Sequence, residues 1–245
     1  MGEFRRLVGQ HLAEQLYETV IHVTRAPGHG RRIAAEALEA GIRIFVVAGG
    51  DGTVNEVADV LAGTTARLAI IPAGSGNGLA HHLGIPFRKK DALDLIVQGH
   101  TVTIDTCRVN GLFFASIAGI GFDAKVARQF ANSHRRGFLT YARIVMKEYL
   151  HYKSGKYRLS LDGEEMEKEA FFISFANSNQ FGYNTRISPR ASITDGLIDV
   201  AVVSKPPVKA FPEIARLMYR QEIDRSKYIS IYRASDILVW REKGK

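Results

Sequence analysis

Two short stretches hold the residue types best suited to chemistry. "VVAGGDGTVNEVADVLAG" (46–63) sets Gly49, Gly50 and Gly52 around Asp51 at the end of an apolar run, with Thr53, Val54, Asn55 and Glu56 directly after. "AIIPAGSGNGLAHHLG" (69–84) nearly repeats the pattern with Gly74, Ser75, Gly76 and Asn77. A glycine turn needs no ligand; tight packing or a positive φ is reason enough. Two such turns at consecutive strand ends point further. In an open α/β sheet the carboxyl ends of the strands border the ligand crevice. Glycine lets main chain approach a phosphate, and the helix that follows offers unpaired N–H groups at the positive end of its dipole. Thr53 and Ser75 add hydroxyls at equivalent places. A nucleotide polyphosphate fits this arrangement better than a neutral ligand.

Asp51 stands where an anion would bind and, unaided, would repel it. Such a carboxylate makes sense if it holds Mg²⁺ through water or accepts a proton from an attacking hydroxyl. The alternative is an N-cap on the helix that follows, worth about 1 kcal/mol. Neither turn contains the lysine of a Walker A loop, and "GGDGTVNE" is not a G-x-G-x-x-G fingerprint.

The elements that must position these turns alternate through the first hundred residues. Helices are expected over 3–18, in "GRRIAAEALEAG", in "TVNEVADVLAG" with Val54, Val57, Ala58 and Leu61 on one stripe, in "NGLAHHLG" and in "KKDALDLIVQG". Strands are expected in "TVIHVT" (19–24), "IRIFVVAGG" and "RLAIIPAG". Repeated β–α units of this kind imply an open α/β layer fold. After residue 104 the texture changes to strands. "TVTIDTCRVNGLFFASIAGIGF" reads as strands joined by an Asn110-Gly111 turn, and "YRLSLDGEEMEKEAFFISFAN" as a hairpin turning at Asp162-Gly163. Further strands follow in "GLIDVAVVS", "YISIY" and "DILVW", with helices over 139–151 and 211–219. The expected architecture is therefore an α/β nucleotide-binding domain (1–104) followed by a mainly β domain (105–245).

An apolar share of 46% and a charged share of 24% suit a globular protein. A single cysteine, Cys107, excludes an internal disulfide and fits a reducing compartment. No apolar run approaches the roughly 18–20 residues of a membrane span, and the default is a cytoplasmic protein. The formal net charge of +8 is concentrated between Lys125 and Arg158, where only Glu148 opposes a series of lysines and arginines. Such a patch is either a solvated face or a surface for anionic partners. His81 and His82 match no zinc spacing.

At this point the residues resemble a known family. "GGDGTVNE" (49–56), "PAGSGNGLAHHLGIP" (72–86), "IDTCRVNGLFFASIAGIGFDAKV" (104–126) and "SPRASITDGLIDVAVV" (188–203) are similar, in order, to the diacylglycerol kinase catalytic-domain family, and more narrowly to its bacterial lipid kinase and sphingosine kinase-like branch. The resemblance implies ATP and Mg²⁺ as cofactors, a β-sandwich second domain and an active site in the cleft between the domains. It implies phosphate contacts from Gly49 to Glu56 and from Gly74, Ser75, Gly76 and Asn77, a nucleotide contact at Thr24, and a catalytic Asp51. It further implies a Mg²⁺ held by Asp195 with the main-chain oxygens of Ser192 and Leu197; read without it, Asp195-Gly196 is a turn. The expected reaction is transfer of the ATP γ-phosphoryl to the hydroxyl of a membrane lipid, with the basic patch docking the protein peripherally on the anionic inner face of the membrane. No nucleic-acid partner is expected.

Three departures accompany the resemblance. A first strand with an N-P-x-S-G-like loop is expected to be absent ahead of the first helix. Gly78 stands where the family's second turn has aspartate. The family's C-terminal Asp-Gly-Glu, carrying its general base, is not reached before "REKGK", so the chain is expected to be a fragment or a shortened, inactive nucleotide- or membrane-binding relative. Asp162-Gly163-Glu164 has the same letters but reads as a hairpin turn. An NAD kinase shares "GGDGT", although the "NE" after Val54 and the "GSGN" turn favour the lipid branch.

Overall fold

The computed structural model describes residues 6, 8, 18–133, 137–182 and 185–241. Of the helix expected over 3–18, Arg6 and Val8 are helical and Glu18 is irregular; the rest lies outside the described residues. The chain divides into two compact units, Met1–Thr103 and Ile104–Lys245.

In the first unit α1 (His29–Glu39), β1 (Ile44–Gly49), α2 (Asp51–Leu61), β2 (Arg67–Pro72), α3 (Gly78–His82) and α4 (Lys89–Gln98) follow one another. β1 and β2 pair in parallel with Gly49 opposite Pro72, so both chains leave the sheet at the same end. α2 buries Val54, Val57 and Leu61, three of the four residues of the expected stripe. α4 buries Ala92 and Leu93 against Ile71 of β2. The strand expected over 19–24 does not form. Val20 and Ile21 are 72% and 43% exposed, and β-branched composition without a ladder partner does not make a strand.

The second unit is a sandwich. One antiparallel sheet runs β12 (Ile229–Ala234), β11 (Ile198–Val203), β8 (Phe172–Ala176), β5 (Ile117–Gly121); the other runs β13 (Ile237–Arg241), β6 (Gly155–Leu161), β7 (Glu164–Ala170). Tyr157, Leu159 and Leu161 of β6 meet Ile173, Phe175, Val200 and Val202 across the core. The chain changes sheets at Phe171, which explains why the expected hairpin "YRLSL…FFISFAN" ends one strand early. β3 (Cys107–Val109) and β4 (Leu112–Phe114) form a small hairpin, and β9 (Gln180–Gly182) and β10 (Thr185–Arg186) a shorter pair that the sequence reading missed. Residues 101–106, expected in a strand, form none. Two helices follow β5: α5 (Phe122–Asn132), also missed, and α6 (Phe138–His151); α7 (Phe211–Tyr219) lies where expected. Gly121, at φ 90, ends β5 and starts α5 within one residue, so the apolar pattern runs unbroken across the change of period. Among the described residues no helix is long and apolar enough to cross a membrane.

Both expected tight turns are present. Asn110 and Gly111 (φ 49 and 78), and Asp162 and Gly163 (φ 48 and 91), take left-handed conformations, as type I′ hairpin turns require. Asp162 does more than turn. Its carboxylate accepts hydrogen bonds from Ser235 N (3.0 Å), Ser235 Oγ (3.0 Å) and Asp236 N (2.8 Å), clamping the β6–β7 turn to the β12–β13 turn. The Asp236 amide leads the donors that hold its pKa below the usual carboxylate value. A depressed folded pKa contributes stability above the unfolded value, near 4, and loses it as pH falls through the folded value. Asp162→Asn, which tolerates the left-handed conformation, should therefore lower the melting temperature at pH 7, with the difference from wild type closing in acid. A gap that persists unchanged in strong acid would contradict the clamp.

Candidate functional site

The site is built first from the start of α2. Its N-cap, Gly50, is extended, and no side chain caps the helix, so amides in its first turn lack helical acceptors. A Cβ placed on Gly52 would meet nothing within 4 Å. Glycine in a helix costs about 0.5–1 kcal/mol relative to alanine. The fold thus gives no reason for Gly52, while Gly50 and Gly74 each have one. A Cβ on Gly74 would come to 2.4 Å from the Gly50 Cα, and one on Gly50 to 3.0 Å from the Gly74 Cα. The two turns are packed main chain against main chain.

Asp51 locks them together. Its Oδ2 accepts from Asn77 N and its Oδ1 from Gly78 N, both at 2.7 Å. The carboxylate does not cap α2, the helix that the N-cap alternative assigns to it; it caps α3, whose first amides lie 26 and 27 residues downstream. Asn77, buried and left-handed at φ 54, closes the second turn: its Oδ1 accepts from Gly74 N (2.9 Å) and its Nδ2 donates to Gly74 O (2.8 Å). Glu56 performs the matching task on the other side. Its Oε1 accepts from Gly28 N (2.7 Å) and its Oε2 from Gly30 N (2.9 Å), holding the start of α1. A Cβ on Gly30 would strike that carboxylate at 2.8 Å. Both acids of "GGDGTVNE" are therefore tied to helix starts on either side of α2.

The structure thus brings Gly49–Glu56 and Gly74–Asn77 into one cluster. Within it Asp51, Glu56 and Asn77 bond main chain and Val54 is core, while Gly52 and Ser75 are exposed. Thr24 is exposed in the irregular 18–25 segment, four residues before the Gly28 amide that Glu56 holds.

In the second unit, Ser192, Asp195 and Leu197 lie on the loop before β11. Asp195 Oδ1 accepts from Leu197 N (3.1 Å), the local bond of a turn. The turn is also held from outside, as Asp105 Oδ2 accepts from Gly196 N (2.7 Å) and Asp105 N donates to Ile193 O (2.6 Å). Asp105 was not singled out from the sequence, because nothing local distinguishes it from a linker residue. No cluster of three or more His, Cys, Asp or Glu suited to a metal occurs among the described residues. Any cation here would rest on one or two carboxylates with main-chain oxygens, a donor set that Mg²⁺ accepts.

Asp123, in the first turn of α5, was also missed. A Cβ on Gly119 would lie 2.5 Å from its Oδ2, so the carboxyl occupies the space that this glycine leaves. Burial pushes its pKa up to about 6. Cys107 is pushed the other way from reactivity, to about 11, by burial and then by the charge of Asp105, which fits a core thiol rather than a nucleophile.

Asp51→Ala should lower unfolding free energy by about 1 kcal/mol, as for loss of a cap, and Gly74→Ala by about 1–3 kcal/mol through overpacking; urea unfolding reads both. For Asp123, the folded state binds more protons than the unfolded state between about pH 4 and 6, so stability declines as pH rises through that window. Asp123→Asn should consequently raise the melting temperature at pH 7 and give little gain at pH 4.

Comparison with known proteins agrees with the two-unit fold. Residues 2–109 match the family model described as diacylglycerol kinase catalytic domain, and residues 116–244 the model described as YegS C-terminal NAD kinase beta sandwich-like domain. A diacylglycerol kinase of Mycobacterium tuberculosis is 34% identical over 209 residues, covering 80% of this chain and 67% of that protein. A diacylglycerol kinase of Bacillus subtilis is 29% identical over 249 residues, covering 96% and 82%. The crystal structure of a diacylglycerol kinase from Bacillus anthracis superposes with a TM-score of 0.80 at 25% identity, covering 100% of this chain and 82% of that one. With a glycine-turn α/β unit followed by a sandwich of this kind, the chain belongs to the diacylglycerol kinase-like family of lipid kinases.

Proposed function

We propose that the protein transfers the γ-phosphoryl group of ATP to the hydroxyl of a lipid, of diacylglycerol or sphingoid type. One observation carries the reading: an uncapped helix start at Gly50–Thr53, with open space over Gly52, faced by a second glycine turn locked beside it. A triphosphate has the charge and shape for such main-chain donors. Phosphoryl transfer depends mainly on positioning and electrostatics, so a rigid cradle is a sufficient contribution from this unit. Ser75 and Thr53 would add hydroxyl donors. Asp51 acts here as a positioning residue, since both of its oxygens hold the amides of Asn77 and Gly78; this favours a structural duty over proton acceptance. Mg²⁺ bound with the nucleotide would offset phosphate charge; within the second unit, Asp195 with the main-chain oxygens of Ser192 and Leu197 would hold a Mg²⁺ of its own, with Asp105 fixing the loop.

Transfer of labelled phosphate from ATP to lipid in mixed micelles, compared with NAD⁺ as acceptor, tests the reaction and separates the lipid kinase from an NAD kinase-like enzyme. Nucleotide binding without transfer to either would instead identify an inactive relative. Gly52→Ala tests the cradle. It should fold with stability equal to or about 0.5–1 kcal/mol above wild type, yet bind a non-hydrolysable ATP analogue at least about tenfold more weakly, as a Cβ displaces phosphate from the amides. Unchanged affinity by calorimetry would contradict the assignment.

A further inference from the structure

The proposed triphosphate cradle is short of cations. Main-chain amides hold Asp51 and Glu56, but amides bring no formal charge, and the site is read as binding a polyanion. From Gly49 to Leu83 the chain has one lysine or arginine, Arg67. It opens β2, about 17 Å of strand from Pro72, where the second glycine turn begins. The imidazoles fall differently. His81 and His82 close α3, the helix that follows that turn. His29, at the start of α1, is already engaged: its Nδ1 accepts from Arg25 N (3.1 Å) and its Nε2 lies 3.1 Å from Arg32 Nη2.

His81 is placed to serve the second turn. Its N–H donates to Asn77 O (2.9 Å), so it stands one helical turn above the residue that closes that turn on Gly74. Four residues apart, Asn77 and His81 share a face within about 40°, and Cα–Cβ bonds on a helix tilt toward its N-terminus, here the glycine turn. His82 lies about 100° farther round. The Phe87 ring packs on the half-buried His81 imidazole, 4.4 Å between centroids, and neither ring nitrogen of His81 has a hydrogen-bond partner among the described residues. Burial, the larger influence, holds its pKa below the usual histidine value, while the Asp51 carboxylate, the charged group that acts on it, pulls the other way. At pH 7 the ring of the nucleotide-free protein is therefore mainly uncharged.

We propose that His81 is a phosphate contact of the nucleotide site, an imidazole that takes up a proton from solvent as the triphosphate settles on the two turns and then serves as the cation of the cradle. This rests on the kinase reading and adds to it a group that offsets phosphate charge from the protein's own side. An anion within about 4–6 Å favours the charged form of its partner about tenfold or more, so nucleotide binding and protonation reinforce each other. Affinity rises as pH falls through the range in which the ring is charged only with nucleotide bound. A lysine would give the same attraction at every pH; histidine makes it conditional.

Calorimetric titration of the full chain with a non-hydrolysable ATP analogue and Mg²⁺ at pH 7, repeated in buffers of different ionisation enthalpy, counts the protons taken up. A terminal phosphate itself titrates at about pH 6, so the reading is the difference between wild type and His81→Gln. Wild type should take up a fraction of a proton that the variant does not, and should bind about tenfold more tightly than the variant at pH 6 while matching it at pH 8. His81→Lys, charged at every pH, should bind about tenfold more tightly than wild type at pH 8. Imidazole resonances of the labelled wild type give a reading independent of any variant: at saturation those of His81 should move to imidazolium positions. Equal proton uptake by wild type and His81→Gln, or a His81 ring that stays neutral at saturation, overturns the proposal and leaves the cradle standing. So does an affinity loss in His81→Gln that is the same at pH 6 and pH 8, which assigns the ring to packing against Phe87. An analogue that binds neither wild type nor variant at any pH sinks the cradle itself, and this contact with it.

Discussion

The Asp51 carboxylate, bonded to the amides of Asn77 and Gly78, fixes the geometry on which the first unit's chemistry depends. Two strand ends from a parallel pair would otherwise carry independent loops. Three constraints join them: the glycine-to-glycine contact of Gly50 with Gly74, the Asp51 bridge, and the Asn77 side chain that closes the second turn on Gly74. Glu56 extends the same logic to the start of α1. The acids lie close to a proposed anion site, yet their oxygens face main-chain donors. This resolves the difficulty of a carboxylate placed where phosphate should bind: its charge is matched by amides, and the start of α2 stays open.

In the second unit an aromatic cluster seats the two helices that follow β5. Phe171, at the crossing between the sheets, stacks on Phe122 at 4.2 Å and meets Tyr149 edge-on. Lys205 Nζ lies 4.8 Å from the Tyr149 ring centroid and donates to Tyr152 O at 2.8 Å, and Tyr149 Oη donates to Pro206 O. α5 and α6 are thereby seated firmly on the sandwich. The basic segment seen in the sequence resolves into a paired part, Lys125 with the buried Glu148, and an exposed part on α6 that includes Arg143 and Lys147.

Much of this was legible beforehand, for local reasons. Periodicity placed α2, α6 and α7, and Asn-Gly and Asp-Gly placed the two type I′ turns, because these signals need no distant partner. What failed needed tertiary information. The 19–24 segment has strand composition but no ladder; α5 hides behind Gly121, where a strand pattern passes into a helix without a break in apolarity. The site followed the same division. The glycine turns stood out from the sequence, but the bonds of Asp51, Glu56 and Asn77 each reach main chain that only the folded sheet brings near. Asp105 and Asp123 carried no local mark, and only their loop contact and burial reveal them.

The central claim is that main-chain donors at the start of α2 and in the second glycine turn hold the triphosphate of ATP. Backbone amide resonances of the labelled full chain, followed during titration with a non-hydrolysable ATP analogue and Mg²⁺, address it most directly. The account predicts the largest shifts at Gly52, Thr53 and Ser75, with the amides of Asn77 and Gly78 still protected by Asp51. Saturating nucleotide that leaves Gly52 and Ser75 unmoved, or that shifts only residues remote from these turns, would contradict it.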